Sequence, residues 1–250
     1  MMQQFIIQLK DKFPGADCRL DQDSLELYGR DWTAFHKVNA LAIVFPRSEA
    51  DIVWLVKFAR QHRLALVPSG GRTGLSGGAV ATQGEIIVSL DRLDKIIAYN
   101  AEDATIRCEA GVITANLQQH AEQQGMFYPV DFAASGSSQI GGNVATNAGG
   151  IRVIRYGLTR DQIVGLRVVT GTGEILSLNK GLIKNATGYD LRHLMIGSEG
   201  TLGIITEVTV KLISPPGPQS VLVLGINDLS ALMPVLTSFR KQLTLSAFEF

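Results

Sequence analysis

The chain has 250 residues with 23 basic and 23 acidic side chains, so its formal net charge is zero. Without a global positive field, we expect it to bind neither nucleic acid nor an anionic membrane surface. The length is enough for one large domain or two smaller ones with a sizeable core. The 26 glycines exceed the usual share in globular proteins, so we expect them to serve particular sites.

The cysteines and the apolar runs indicate a cytoplasmic protein with no transmembrane segment. Cys18 and Cys108 form no CxxC pair, which argues against a zinc ribbon or a disulfide framework and favours a reducing compartment. Residues 1–12 lack the basic start and cleavage site of a signal peptide. No stretch approaches the roughly 18 apolar residues that a membrane helix requires.

The first half of the chain predicts a mixed α+β pattern of strands and helices. Ser48 followed by Asp51 is a capping-box variant, which predicts the start of a helix that continues to about His62. The other predicted elements are a helix over 5–13, strands over 41–46, 64–67 and 86–90, a hairpin of 96–99 with 105–109, and a helix over 112–124.

The second half predicts a hairpin, a long strand and a domain boundary. The hairpin joins 164–170 to 174–178, and the long strand covers 202–213, just before the proline-rich residues 215–218. Strands over 221–226 and 245–250 flank a helix over 229–242 and form an unfinished β-α-β unit. We therefore predict an N-terminal helical segment (1–38), a main domain (39–214) and the beginning of an incomplete second domain (219–250).

A loop between two predicted strands has the sequence PSGGRTGLSGGA over residues 68–79, with five glycines in twelve residues. Without Cβ atoms, successive N–H groups can converge on an anion, so this loop predicts a phosphate cradle. A flexible surface loop is the alternative. The chain contains neither GxGxxG nor a Gly-Lys pair, which disfavours a Rossmann site and a P-loop. Residues 74–78 match GxSxG but lack the strand and helix of a nucleophile elbow, so we interpret Ser76 as a hydrogen-bond donor to a phosphate rather than a nucleophile.

Two further glycine-rich segments follow. Residues 128–150 are polar, small and long enough for a functional loop or a short buried helix with loop flanks. Residues 196–206 place closely spaced glycines before a strand, where a flat ring can lie against the backbone. Segments of this kind could grip the two ends of an extended dinucleotide, whereas tight structural packing is the alternative explanation.

Together these residues resemble the FAD-linked oxidase family of the vanillyl-alcohol oxidase type, and within it the D-2-hydroxyglutarate, D-lactate and glycolate oxidase group. The resemblance rests on four motifs: PSGGRTGLSGGA, YPVDFAASGSSQIGGNVATNAGG, KNATGYDL and IGSEGTLGIITEVTVKL. It implies a PCMH-type FAD-binding domain of two α+β subdomains, followed by the start of a truncated ferredoxin-like substrate domain. The run IGGNVATNAGGIRVIRYG is especially similar to D-2-hydroxyglutarate dehydrogenases.

The resemblance also implies which residues bind FAD. The first motif would cradle the pyrophosphate, and the later motifs would line the rest of the cofactor. The residues expected to bind FAD are Pro68, Ser69, Gly70, Gly71, Arg72, Thr73, Gly74, Leu75, Ser76, Gly77, Gly78, Pro129, Gly136, Ile140, Gly141, Gly142, Asn143, Thr146, Asn147, Gly149, Gly150, Gly203 and Ile204.

Two departures from the family matter for the chemistry. Some relatives carry flavin covalently on a histidine after Ser-Gly-Gly, and Arg72 at this position cannot form that bond, so we predict non-covalent FAD. The family's substrate-binding residues and general base are expected beyond residue 250. The four histidines are scattered without an HxxxH pair, so neither a metal site nor a catalytic residue is assigned. Arg152 and Arg155 are candidates for contact with an acidic substrate or the flavin, or are ordinary solvated arginines.

The sequence thus predicts an FAD-dependent enzyme that oxidises a D-2-hydroxy acid and passes electrons to a separate acceptor, which could be electron-transfer flavoprotein, a quinone or a cytochrome. One alternative is an FAD-binding fragment or subunit that is inactive without a missing C-terminal half or a partner chain. Another is an enzyme similar to UDP-N-acetylenolpyruvoylglucosamine reductase, which uses NADPH as its reductant.

Overall fold

The computed structural model describes residues 2–33, 35–182 and 184–250, which form two sheets with surrounding helices. The helices are α1 (Met2–Lys12), α2 (Gln22–Tyr28), α3 (Glu49–His62), α4 (Thr114–Gln123), α5 (Ile140–Thr146), α6 (Val153–Tyr156), α7 (Thr159–Gln162), α8 (Arg192–Met195) and α9 (Leu232–Gln242). The strands are β1 (Cys18–Arg19), β2 (Ala40–Val44), β3 (Leu66–Ser69), β4 (Glu85–Ser89), β5 (Ile96–Asn100), β6 (Thr105–Glu109), β7 (Ile163–Thr170), β8 (Ile175–Leu178) and β9 (Gly203–Lys211).

The first sheet has the strand order β1-β2-β4-β3, in which β2, β4 and β3 are parallel and β1 is antiparallel to β2. Both of its faces are covered. Val44 and Ile86 join the main core with α3, whereas Ile43 and Ile87 pack on the opposite face against Tyr28 of α2. Burial on both faces explains why these strands are continuous apolar runs rather than alternating ones.

The second sheet is antiparallel, with the order β5-β6-β9-β7-β8. It contains both predicted hairpins, and its long central strand β9 corresponds to the strand predicted over 202–213. One continuous hydrophobic core joins this sheet to the first, because α3 and α4 bury apolar side chains in the same cluster as both sheets. The predicted α+β class is therefore confirmed.

Helix α3 begins where the sequence predicts. The Ser48 hydroxyl accepts a hydrogen bond from the Asp51 backbone N–H at 3.2 Å, and Arg63 ends the helix in the left-handed region. The predicted helix over 229–242 is also present, as a 3-10 turn followed by α9.

The strands predicted over 221–226 and 245–250 are wrong for this structure. Val221 and Phe250 are 89% and 92% exposed, and neither segment forms a strand within the described residues. An apolar run becomes a strand only where a neighbouring strand supplies hydrogen-bond partners. Among the described residues, no strand pairs with either of these two segments. The domain division at 215–218 stays a prediction.

The described residues also bear on membrane insertion and on metal binding. In residues 2–33, 35–182 and 184–250, no helix combines the length and apolarity needed to cross a membrane. The same residues contain no group of three or more histidine, cysteine or acidic side chains placed to hold a metal ion.

An ion pair joins helix α3 to the second sheet. Glu49, in the first turn of α3, accepts hydrogen bonds from Arg167 Nε on β7 at 3.1 Å and from the Thr206 hydroxyl on β9 at 2.7 Å. Partial burial opposes ionisation of Glu49, but the hydrogen bonds from Arg167 and Thr206 outweigh it, so the pKa of Glu49 lies below its usual value. The charged carboxylate therefore stabilises the packing of α3 against the second sheet.

We expect Glu49→Gln to lower the free energy of unfolding by about 1–2 kcal/mol at neutral pH, because it removes a charged acceptor from a partly buried network. A lowered folded-state pKa gives stability that is present above the unfolded pKa and is lost as the pH falls through the folded pKa. The difference between wild type and variant should therefore be full above about pH 5.5 and shrink below about pH 4.5. Urea unfolding at several pH values measures it.

Glu102→Gln is the matched control for that change. Glu102 is exposed, and its carboxylate accepts no hydrogen bond from any described residue. A pH-independent difference for Glu49→Gln, or an equal effect of Glu102→Gln, would contradict the assigned role of the ion pair.

Candidate functional site

The main cleft, with a volume of about 400 Å³, lies at the carboxyl ends of the parallel strands β3 and β4. One wall is the glycine loop, which we define as residues 68–79, and the other is α5 with the start of β9. The carboxyl edge of a parallel sheet is where open α/β sheets bind their ligands. All three glycine-rich segments contribute residues to the cleft. From the third segment, Glu199, Gly200 and Gly203 line it.

The glycine loop presents a row of free backbone donors. Among the described residues, no hydrogen-bond acceptor is found for the backbone N–H of any residue from 70 to 76. Arg72 and Gly77 have positive φ values of 59° and 81°, which turn the chain tightly around the cleft. Unpaired N–H groups on a curved backbone form a concavity that favours an anion such as phosphate.

A backbone contact between the two walls explains why Gly71 cannot carry a side chain. A Cβ atom at Gly71 would lie 2.1 Å from the Ser137 carbonyl oxygen, so any other residue would push the walls apart. The contact holds the glycine loop against the segment that leads into α5. The cleft is therefore shaped by main chain rather than by side chains at this point.

The Arg72 side chain joins the glycine loop to the residues that follow β4. Its Nη1 donates to the Gly70 carbonyl oxygen at 2.8 Å and lies 3.3 Å from Asp91 Oδ1, while the guanidinium stacks 4.6 Å from the Tyr28 ring centroid. The side chain therefore connects the loop to Asp91, two residues after the end of β4.

Asp91 also joins the two walls. Gln139 Nε2 donates to Asp91 Oδ1 at 2.7 Å, so one carboxylate binds both the arginine of the glycine loop and the residue before α5. Because the amide nitrogen faces the carboxylate, Gln139 Oε1 points elsewhere, and it is buried with no partner among the described residues. Ser69 Oγ is likewise buried and has no hydrogen-bond partner among the described residues. Unsatisfied polar atoms beside a cleft are typical of a site built for a polar ligand.

Helix α5 is fixed close to the sheet beneath it. A Cβ atom at Gly141 would lie 2.6 Å from the Ala110 Cβ, so this glycine permits close packing. The Asn143 side chain donates to the Thr114 hydroxyl at 2.7 Å, within a buried network that also includes Ser138. Gly142, by contrast, lines the cleft, and a Cβ atom added there would meet no atom of the described residues within 4 Å.

The cleft brings together most of the residues predicted to bind the cofactor. Those on its walls are Pro68, Ser69, Gly70, Gly71, Arg72, Thr73, Gly74, Leu75, Ser76, Gly78, Gly141, Gly142, Asn143, Thr146 and Gly203. Those not on its walls are Gly77, Pro129, Gly136, Ile140, Asn147, Gly149, Gly150 and Ile204. Ile205 lines the cleft instead of Ile204, as expected where neighbouring residues of a strand face opposite sides. Asn147 ends α5 in the left-handed region.

Other residues line the cleft that the sequence did not predict. They are Asp31, Ala79, Leu90, Phe132, Ala134, Gln139, Ala145, Ala148, Glu199, Gly200 and Ile205. Several of these residues lie within the four family motifs, so membership in a motif was the sequence feature that could have identified them as cleft residues. Asp31 lies outside them, and nothing in its local sequence marks it as a neighbour of the glycine loop.

The arginine candidates do not line the cleft. Arg152 pairs with Asp131 at 3.1 Å and lies over the Phe127 ring, and Arg155 lies over the Tyr156 ring. Both arginines therefore have structural contacts in this fold.

The cleft offers cofactor-binding groups rather than an acid-base pair. Its titratable side chains among the described residues are Asp31, Arg72 and Glu199, with no histidine, lysine or tyrosine. Cys108 is not a nucleophile, because burial in the core raises its pKa to about 12 and keeps the thiol protonated.

Comparison with known proteins supports a cofactor site. The chain is 56% identical over 245 residues to D-2-hydroxyglutarate dehydrogenase of Stutzerimonas stutzeri (strain A1501), covering 98% of this chain and 53% of that protein. It is 40% identical over 233 residues to D-lactate dehydrogenase of Anaerostipes hadrus, covering 91% and 46%. The chain thus spans about half the length of these curated relatives.

The fold and a family model agree with these relatives. The solved structure of p-cresol methylhydroxylase with substrate bound superposes with a TM-score of 0.80 at 17% identity, covering 96% of this chain and 48% of that one. Residues 40–179 match the family model described as FAD binding domain, and they include the glycine loop and α5. The chain therefore belongs to the family of FAD-binding domains.

Proposed function

We propose that the cleft binds FAD with its pyrophosphate on the glycine loop. The observation that carries this proposal is the run of backbone N–H groups from 70 to 76 that lack acceptors within the described residues. These donors fit the charge and the oxygen atoms of a pyrophosphate. Apolar side chains on the same walls, including Leu90, Phe132 and Ile205, would contact the flat rings of the cofactor.

We further propose that the protein to which this chain contributes oxidises a D-2-hydroxy acid, with D-2-hydroxyglutarate as the leading substrate. The name of the Stutzerimonas stutzeri relative at 56% identity supports this substrate class. The chemistry that FAD supplies when bound is acceptance of a hydride at N5, which converts the 2-hydroxy acid to a 2-oxo acid. The residues on the cleft walls would hold and orient the cofactor.

We propose that the cofactor is held without a covalent bond. An arginine at position 72 cannot replace the histidine that carries flavin in some relatives, and the Arg72 guanidinium is occupied by Gly70, Asp91 and Tyr28. We also propose a separate electron acceptor, which could be electron-transfer flavoprotein, a quinone or a cytochrome, and a cytoplasmic location. The free, buried Cys18 and Cys108 fit a reducing compartment.

The purified chain, supplied with FAD and desalted, should show flavin absorption bands in the visible range. Acid precipitation should release those bands into the supernatant, because no covalent bond retains the cofactor. A colourless protein after incubation with FAD would contradict the proposed site, and colour retained in the precipitate would contradict the non-covalent attachment.

Gly142→Ala should weaken FAD binding about tenfold or more without destabilising the cofactor-free protein. The added methyl group would meet no atom of the described residues within 4 Å and would project into the cleft, while alanine is a better helix former than glycine. Fluorescence titration with FAD and thermal unfolding of the cofactor-free protein measure the two effects.

Gly171→Ala provides the control, since Gly171 also has no described atom within 4 Å of an added Cβ but lies in the β7–β8 turn, away from the cleft. Equal FAD affinity for wild type and Gly142→Ala would show that the ligand does not approach α5 at this residue.

Anaerobic titration tests the substrate class. We expect D-2-hydroxyglutarate to bleach the flavin absorption, and NADPH to leave it unchanged, in a mixture of the FAD-loaded chain with the C-terminal half of the Stutzerimonas stutzeri relative. The chain alone serves as the comparison, because bleaching there would show that these 250 residues suffice. Bleaching by NADPH but not by the hydroxy acid would instead favour a reductase.

A further inference from the structure

A segment before β2 packs against the glycine loop. The Trp32 N–H donates to the Gly74 carbonyl oxygen at 3.0 Å, and the Ala81 N–H donates to the Gly29 carbonyl oxygen at 2.9 Å. This segment, residues 29–33, lies outside the matched residues 40–179. It therefore contributes to the cleft from outside the recognised domain.

Asp31 is the centre of this contact. Its side chain lines the cleft and is only 6% exposed. Oδ1 accepts from the Thr33 N–H at 2.8 Å and from the Thr33 hydroxyl at 2.7 Å, while Oδ2 accepts from the Gly77 N–H at 2.8 Å. The two oxygens together accept three hydrogen bonds, so Asp31 joins residues 31–33 to the end of the glycine loop.

Charge attraction does not explain a carboxylate at this place. A negative side chain on the wall of a pyrophosphate cleft repels the ligand. The hydrogen bonds offer a geometric explanation instead. A loop with five glycines loses much conformational freedom when it becomes ordered, and Asp31 fixes its last turn through Gly77, where φ is 81°. The donors of residues 70–76 are left free for the ligand.

We propose that Asp31 is a positioning residue for the cofactor, which preorganises the glycine loop by binding the Gly77 N–H. This inference rests on the proposed FAD site. It assigns to residues 29–33 a part in cofactor affinity that does not depend on contact with the redox centre.

Asp31→Asn tests the proposal because the two explanations predict opposite signs. Asparagine removes the repulsive charge, but it has only one acceptor oxygen for the two backbone donors, the Thr33 N–H and the Gly77 N–H, which contact different oxygens of Asp31. One of these donors must therefore face the NH₂ group. If Asp31 acts through position, the FAD dissociation constant should rise about tenfold or more. Unchanged or tighter FAD binding would overturn the proposal.

Asp21→Asn is the matched control. It removes the same charge from an exposed carboxylate that also accepts a backbone N–H, from Ser24 at 2.9 Å, and asparagine caps a helix as well as aspartate. We expect its FAD affinity to equal that of the wild type. A loss equal to that of Asp31→Asn would show that the effect does not depend on the contact with Gly77 and would overturn the positioning role.

Hydrogen exchange in the cofactor-free protein separates this proposal from the proposed function. Asp31→Asn should speed exchange of the Gly77 amide, measured against β9 as an internal reference, whether or not FAD binds. Unchanged exchange at Gly77 would overturn the proposal. Failure of the wild type to bind FAD would instead contradict the proposed function and leave the exchange result to decide the role of Asp31.

Thr33→Val keeps the test decisive if Asp31→Asn fails to fold. Valine preserves the Thr33 backbone donor and removes only its hydroxyl, so one of the three hydrogen bonds is lost. We expect a two- to tenfold weaker FAD affinity, roughly the effect of one hydrogen bond, with faster exchange at Gly77. No change in either quantity would overturn the proposal.

Discussion

The cleft depends on a backbone contact that admits no side chain. Gly71 meets the Ser137 carbonyl oxygen so closely that an added Cβ would lie 2.1 Å away, and Gly141 makes a similar close approach to Ala110. These two contacts set the distance between the glycine loop and α5 and the distance between α5 and the second sheet. These close approaches fix the width of the site, and among the described residues no acceptor is found for the N–H groups of residues 70–76.

Ionic and polar side chains hold this arrangement from outside. Asp91 accepts hydrogen bonds from Arg72 and Gln139 and so joins the two walls, while Glu49 and Arg167 join α3 to the second sheet. The charges in these contacts are neutralised by protein partners. The glycine loop can present its backbone dipoles to an anion, while the Arg72 guanidinium on the cleft wall is paired with Asp91.

Side chains that pair with one another and backbone N–H groups that lack acceptors are features expected of a cofactor-binding domain. The cleft walls contain many donors and apolar surfaces but no histidine, lysine or tyrosine among the described residues. Under the proposed function, these 250 residues would bind and orient the cofactor, whereas the group that accepts the proton of a hydroxy acid would come from outside the cleft walls. The relatives, of which the chain spans about half, have room for such groups in their remaining length.

The sequence by itself determined the elements with strong local signals. The Ser48 cap, the hairpin turn at 171–173 and the apolar runs of β2 and β4 act over a few residues, so they could be read directly. The family motifs also placed Gly70 and Gly142 on one site. Only the tertiary structure decided that Asp31 reaches Gly77 and that Ile205 faces the cleft, because both depend on how distant segments pack. The same reason explains the failed strands near residues 221 and 250, since β-propensity forms a strand only where the fold provides a partner.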